Sequence, residues 1–122
     1  MNVLSNMVAG VRAGGLVLDL QVIRPNPVVE TGGEQLSEID GEPLFKLADA
    51  ARAAVDAAVA RGTLVEEAAD DHDVRKHYPD GADLVADFAD KKRRILDVER
   101  VRAVTQPCVV RERCRLRRLQ VT

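Results

Sequence analysis

Two polar side chains interrupt an apolar stretch near the start of the chain. Residues 16–23 read Leu-Val-Leu-Asp-Leu-Gln-Val-Ile, and the alternation predicts a strand with Asp19 and Gln21 on one face. In open α/β sheets, ligands bind beyond the carboxyl ends of strands, so both residues are candidate ligand contacts. An edge strand with one wet face predicts the same pattern, and the residues alone leave both interpretations open.

A second group of candidate ligands surrounds two histidines. His72 and His77 are separated by four residues, and Asp70, Asp71 and Asp73 lie beside them. Zinc sites use such a histidine spacing, but they need three or four convergent ligands, and the chain offers no second pair. We therefore expect no metal here, and a solvated acidic loop in which His77 and Tyr78 are candidates to line a cleft.

Basic side chains are concentrated at the C-terminal end. Residues 91–122 hold 11 of the 18 Lys and Arg residues, whereas residues 1–90 hold 17 of the 20 acidic residues. A basic segment suggests nucleic acid, but one Tyr and two Phe offer little aromatic stacking. Pairing of the basic strand with acidic residues of the same fold is the favoured interpretation, so binding to nucleic acid is not expected.

The elements that must position these residues follow from hydrophobic periodicity. Three helices are predicted at about 2–12, 44–61 and 81–96, and three strands at about 16–23, 63–68 and 108–121. Residues 24–42, with Gly32-Gly33 and Gly41, are expected to form a long loop. The alternation of helices and strands favours an α/β sheet in a single domain spanning 1–122.

The remaining composition is that of a globular chain. No apolar run approaches the length of a membrane span, and the first residues lack the pattern of a signal peptide, so a cytoplasmic protein is expected. Cys108 and Cys114 lie six residues apart in one predicted strand, too far apart to form a disulfide.

The segment Val11-Arg12-Ala13-Gly14-Gly15-Leu16-Val17-Leu18-Asp19 resembles a landmark of class I S-adenosylmethionine-dependent methyltransferases, in which a helix runs into an RPGG turn and then the fifth strand. Ala13 stands in place of the usual proline. Residues 44–62 resemble that family's next helix, and Gly62-Thr63-Leu64-Val65-Glu66-Glu67 resembles the entry to its sixth strand. Residues 108–121 would then be the seventh strand, antiparallel between the fifth and sixth.

The resemblance implies a partial Rossmann-like sheet without the cofactor-binding half, because the family's glycine-rich loop and acidic cofactor ligand precede the region present here. It implies no cofactor for the chain alone, and S-adenosylmethionine only if a partner completes the domain. It makes the following residues substrate-side candidates: Asp19, Gln21, Arg24, His72, His77 and Tyr78. The chain is then a truncated or partner-completed methyltransferase half, inactive alone.

A missing fourth strand would leave residues 16–23 with an open edge, so we expect a homodimer or a heteromer through this edge. Apolar surface is expected around Val17 and Ile23. Two alternative functions remain: a non-enzymatic binding or assembly module, and a small nucleic-acid-binding protein that uses the basic C-terminal segment.

Overall fold

The computed structural model describes residues 13–122, and the predicted helix 2–12 lies outside them. Eight elements follow in chain order: β1 (Leu16–Val22), β2 (Val28–Thr31), β3 (Glu34–Glu38), α1 (Glu42–Ala60), β4 (Leu64–Tyr78), α2 (Gly81–Asp90), α3 (Val98–Arg102) and β5 (Cys108–Val121).

The strands form one five-stranded antiparallel sheet. β1, β2 and β4 each pair with β5, and β3 pairs with β2. The predicted α/β class is therefore confirmed, with an antiparallel sheet. The described residues form two compact units, and both β4 and β5 contribute residues to each.

Unit 1 contains β1, α1, the first part of β4 to His72, and the end of β5 from Cys114. Its core joins Val17 of β1 and Leu119 of β5 to Val55 and Ala58 of α1 and Leu64 of β4. α1 ends because Gly62 adopts a φ of 79°, and the Gly62 and Thr63 amides donate to the carbonyls of Val59 and Ala58.

Unit 2 contains residues 24–43, the end of β4 from Asp73, α2, α3 and the start of β5 to Arg113. Its core joins Val29 of β2 and Leu36 of β3 to Leu84 and Phe88 of α2 and Val101 of α3. Asp80 caps α2 by accepting a hydrogen bond of 2.8 Å from the Asp83 amide, as expected for a residue of its type at that position.

The predicted loop 24–42 is wrong in part, because it contains the hairpin of β2 and β3. Gly32 and Gly33 have φ angles of 55° and 81°, which a two-residue hairpin turn with positive φ at both positions requires. The glycines therefore join two strands rather than interrupting structure.

The predicted helix 81–96 also ends early, at Asp90. Lys92 adopts a φ of 56°, and the Lys92 and Arg93 amides donate to the carbonyls of Ala89 and Phe88, which closes the helix. Val98 to Arg102 then form a separate short helix.

The strand predicted at 63–68 runs from Leu64 to Tyr78, so the expected acidic loop is strand as well. Its middle has no apolar alternation. Instead, Asp71 and Asp73 lie against Arg115 and Arg113 of β5, so cross-strand ion pairs replace the hydrophobic pattern that normally indicates a strand.

The expected exposure of Val17 is wrong, because Val17 is buried in the core of unit 1. The exposed apolar side chains of β1 are instead Leu16, Leu18 and Leu20, on its other face. The face that carries Val17 is the one that α1 covers.

Candidate functional site

A cleft of about 480 Å³ opens in unit 1, which we call the polar cleft. Three arginines and four carboxylates line it, together with Ala69: Arg52, Arg115, Arg117, Asp56, Glu66, Asp70 and Asp71. α1 supplies Arg52 and Asp56, β4 supplies the other acids, and β5 supplies the remaining two arginines. The acidic groups exceed the basic ones by one, so the cleft is better suited to a cationic ligand than to an anionic one.

Arg117 is the most deeply buried charge of the cleft, with a side chain 8% exposed. Its Nη1 donates to Asp56 Oδ1 at 2.8 Å, and its Nε donates to Glu66 Oε1 at 2.9 Å. Burial alone would lower the pKa of Arg117, but the hydrogen bonds to these two carboxylates outweigh it and raise the pKa. Arg117 is therefore a fixed positive charge that ties β5 to both α1 and β4.

Arg115 makes a two-pronged contact with Asp71. Its Nε and Nη2 donate to the two carboxylate oxygens at 2.7 Å and 2.9 Å. The hydrogen bonds to Asp71, followed by the attraction between the charges, raise the pKa of Arg115. The planar guanidinium matches both oxygens at once, so the pair has a defined orientation as well as a charge.

Asp19 and Gln21 lie on the same sheet face as these arginines. In the antiparallel register, Asp19 stands opposite Arg117 and Gln21 opposite Arg115, and directly opposed residues share a face. Gln21 Nε2 donates to Asp19 Oδ1 at 2.9 Å. The second oxygen, Asp19 Oδ2, is buried and has no hydrogen-bond partner among the residues that the structure describes.

The other sequence candidates are divided between the two units. In unit 1, His72 Nδ1 lies 3.1 Å from Asp70 Oδ2, at the border of the cleft. In unit 2, Arg24 pairs with Glu42 at 3.5 Å, and His77 is exposed on β4. Asp19, Gln21 and His72 therefore belong to one unit, and Arg24, His77 and Tyr78 to the other. Their roles as substrate contacts stay predictions.

Tyr78 is buried, and its hydroxyl donates to Asp87 of α2. Burial, followed by this hydrogen bond, raises the pKa of Tyr78 to about 12. Hydrogen bonds from Tyr78 and from Lys91, at 2.9 Å, hold the pKa of Asp87 below its usual range. The Tyr78 ring also meets Phe88 edge to face, so this tyrosine joins β4 to α2 within unit 2.

Asp56 and Glu66, the acids that complete the cleft, were not among the candidate residues predicted from the sequence. The signal that pointed toward them was the alternation of Arg111, Arg113, Arg115 and Arg117, which predicted pairing with acids of the same fold. That pairing is confirmed, because each arginine of β5 has a carboxylate partner in the structure: Glu30 for Arg111, Asp73 for Arg113, Asp71 for Arg115, Glu66 for Arg117 and Glu67 for Arg118.

Within residues 13–122, the His, Cys, Asp and Glu side chains form no group of three or more that could hold a metal ion. Nor does that part of the chain contain a helix of the length and apolar character that crossing a bilayer requires. Cys108 and Cys114 are both buried, and no disulfide joins them.

The second candidate site is the edge of β1. The Val121 amide donates to the Gly15 carbonyl, and the Val121 carbonyl accepts from the Gly14 amide, so the Gly15 carbonyl faces β5 at a bulge where the ladder begins. Backbone groups that face the partner strand alternate along an antiparallel ladder, so those of residues 17, 19 and 21 also face β5. The N–H and C=O groups of Leu16, Leu18 and Leu20 point the other way, toward an edge where no strand from the described residues pairs.

Searches against protein-family models, curated proteins and solved structures give no match to this chain. Two features define the candidate site: a polar cleft whose arginines each pair with carboxylates, and a strand edge with outward-facing backbone groups.

Proposed function

We propose that the chain is a methyltransferase-like half-domain that has no activity alone and functions by assembly, with the edge of β1 pairing with a strand of another polypeptide chain. The polar cleft of unit 1 is then the substrate-side surface of the assembly. Asp19 and Gln21 lie on the same sheet face beside the cleft, and they extend this surface toward the paired edge.

The arrangement of unit 1 supports the methyltransferase-like part of this proposal. β5 lies between β1 and β4 and is antiparallel to β1, and α1 connects β1 and the hairpin to β4. The order of the ion pairs gives the direction of β4, because Glu66, Asp71 and Asp73 meet Arg117, Arg115 and Arg113 in turn. This is the order that the resemblance implies for the fifth, seventh and sixth strands.

The observation that carries the assembly part is the edge of β1. Leu16, Leu18 and Leu20 direct their N–H and C=O groups away from β5, and their side chains are 47%, 61% and 55% exposed. Residues 16–22 contain no proline or lysine, and Asp19 is their single charge. Proteins normally protect an exposed edge with proline or with charged residues such as lysine, so an edge that has few of these favours pairing with a further strand.

The cofactor depends on what the partner brings. The resemblance places the family's glycine-rich loop and acidic ligand in strands that precede the fifth, which correspond to no residues of this chain. A partner that supplied both would complete a site for S-adenosylmethionine, and the pair would transfer methyl groups. The chain without such a partner is expected to bind no S-adenosylmethionine.

Native mass spectrometry of the chain isolated from its own cells tests the assembly. We expect a native mass larger than that of the same polypeptide under denaturing conditions, and loss of the assembly in a Leu18→Pro variant, which removes an outward amide but no bond to β5. Leu18→Thr, which keeps the amide, is the matched control. A monomeric mass in the native isolate would refute the proposal.

Calorimetric titration with S-adenosylmethionine tests the cofactor statement separately. The purified chain should give no heat of binding. Binding at micromolar affinity to the chain alone would contradict the half-domain interpretation, because it would require a cofactor site built within these residues.

A further inference from the structure

The edge of β1 has a sequence that can pair with itself. Its outward residues are Leu16, Leu18 and Leu20, spaced by two along one strand face. In an antiparallel pair of two copies, outward residues of one strand stand opposite outward residues of the other. The alignment centred on Leu18 pairs each leucine with a leucine: Leu18 with Leu18, and Leu16 with Leu20 of the second copy.

The two neighbouring alignments would be less stable than the one centred on Leu18. Centring the pair on Asp19 places the two aspartates directly opposite each other, and like charges at that position destabilise a sheet. Centring it on Val17 places Leu20 opposite Gly14, so one leucine of each copy loses its apolar neighbour. The Leu18 alignment instead places Asp19 opposite Val17 and avoids both defects.

We propose that the occupant of the β1 edge is a second copy of this chain, joined in a symmetric antiparallel pair centred on Leu18. This inference rests on the proposed function and names its partner. Each copy contributes the same edge, so the contact closes around a two-fold axis and leaves neither copy of β1 with an unpaired edge. The cross-strand leucine contacts add to the backbone hydrogen bonds, and the two Asp19 residues stand diagonally, about 7–8 Å apart, rather than directly opposite each other.

Cysteine cross-linking tests the register. Opposed residues of a hydrogen-bonded pair have Cα atoms about 5.5 Å apart, within the roughly 4.4–6.8 Å that a disulfide spans. A Leu18→Cys variant should therefore form a disulfide dimer on mild oxidation. Leu16→Cys alone should not, because its two copies would lie about 14 Å apart. Leu16→Cys mixed with Leu20→Cys should form the cross-link.

The wild-type chain is the control for this experiment, since Cys108 and Cys114 are buried and should not react under the same oxidant. Self-linking of Leu16→Cys to the same extent as Leu18→Cys would overturn the register.

Light scattering is a second experiment. The recombinant wild-type chain should be a dimer, and Leu18→Pro should weaken dimerisation by about tenfold or more, because two symmetry-related hydrogen bonds are lost. If Leu18→Pro does not fold, the cross-linking series still decides.

The two proposals fail differently. A recombinant chain that is monomeric at all concentrations, beside a native isolate containing a different protein, overturns the second-copy inference and leaves the proposed function standing. A monomer in both preparations overturns both. A recombinant dimer that Leu18→Cys cross-links, and that the native isolate reproduces in mass, supports assembly through β1 with a second copy as the partner, and such a pair brings neither the glycine-rich loop nor the acidic ligand of a cofactor site.

Discussion

Tyr78 is the single tyrosine of the chain, so its ionisation can be measured without ambiguity. Burial and the hydrogen bond to Asp87 raise its pKa to about 12. A raised pKa means that the neutral hydroxyl is favoured in the folded protein. The stabilisation that the neutral Tyr78 hydroxyl gives to the folded protein is complete below the usual tyrosine pKa near 10, and it is lost as the pH rises toward 12.

We therefore predict that phenolate absorbance of the native chain rises with a midpoint near pH 12. The free energy of unfolding should fall between pH 10 and 12, and a Tyr78→Phe variant should lose that part of the fall. Urea unfolding of both proteins across this range measures the difference. A native midpoint near 10 would show that the hydroxyl is not held as described.

Arg117 provides a second prediction at the scale of single residues. Its two partners, Asp56 and Glu66, are 64% and 37% exposed, whereas Arg117 is 8% exposed. Arg117→Met should cost about 1 kcal/mol, because the acids left behind can reach water. The double variant Asp56→Asn and Glu66→Gln should cost about 3 kcal/mol, because it takes both hydrogen-bonded carboxylates away from a buried guanidinium.

Chemical denaturation of the three variants and the wild type measures these costs. Adding the two acid substitutions to Arg117→Met should then change stability little, since Asp56 and Glu66 no longer have a buried guanidinium to pair with. An equal cost for Arg117→Met and for the acid pair would show that packing, and not charge, determines the stability of this position.

Between elements, α2 and α3 approach each other closely at Gly81. A Cβ atom added to Gly81 would lie 1.7 Å from the Val101 carbonyl oxygen, and the Gly81 amide donates to Val104 O at 2.8 Å. The obstacle is backbone, so it cannot rotate away. The two helices would have to separate, and the core around Leu84 and Val101 would loosen.

We predict that Gly81→Ala lowers the free energy of unfolding by about 3 kcal/mol or prevents folding. Gly62→Ala is the matched control: its φ of 79° disfavours alanine, but the site has open space. It should cost about 1–2 kcal/mol. Thermal unfolding of both variants gives the comparison, and similar costs would show that the α2–α3 approach is adjustable.

The elements that could be predicted from sequence are those with a local hydrophobic period. The apolar stripe from Leu44 to Val59 and the stop at Gly62 predict α1 within two residues of its observed bounds. β1 and β5 were also expected where they lie. The face that carries Asp19 and Gln21 followed from simple alternation, and the structure places both on one face.

What could not be predicted depends on residues distant in sequence. The second half of β4 has charged side chains that are typical of a loop, and it becomes a strand because β5 presents arginines to it. Asp56 and Glu66 join the cleft because the register brings Arg117 between them. In unit 1 the arginine side of β5 is the buried side, which composition alone does not indicate.

At the scale of the whole molecule, β5 carries a ladder of five arginines, each with a carboxylate at 2.7–3.3 Å. Most of these pairs are partly exposed, and each is worth a fraction of a kcal/mol in dilute salt. The net charge of −2 is small, so the overall repulsion that salt would screen is also small and does not offset the weakening of the ion pairs. The ladder therefore makes stability sensitive to ionic strength.

We predict that raising sodium chloride to about 1 M, where the Debye length is about 3 Å, lowers the free energy of unfolding by about 1–2 kcal/mol. An Arg115→Met variant should show a smaller salt dependence. Unfolding curves at several salt concentrations provide the measurement. Stability that is unchanged or increased by salt would show that the ladder contributes little.

The shared strand β5 has a consequence for how this chain can evolve. Cys108 and Val110 are buried in unit 2, and Leu119 and Val121 are buried in unit 1, all from one uninterrupted strand. Because side chains alternate between the faces of a sheet, an in-frame loss of the codon for Glu112 would move the core-facing side chains of one half of β5 to the opposite face. Single substitutions at exposed β5 positions should persist in a lineage, whereas insertions and deletions there should be purged. Length changes should collect at Thr105–Gln106, where an extra residue disturbs no strand.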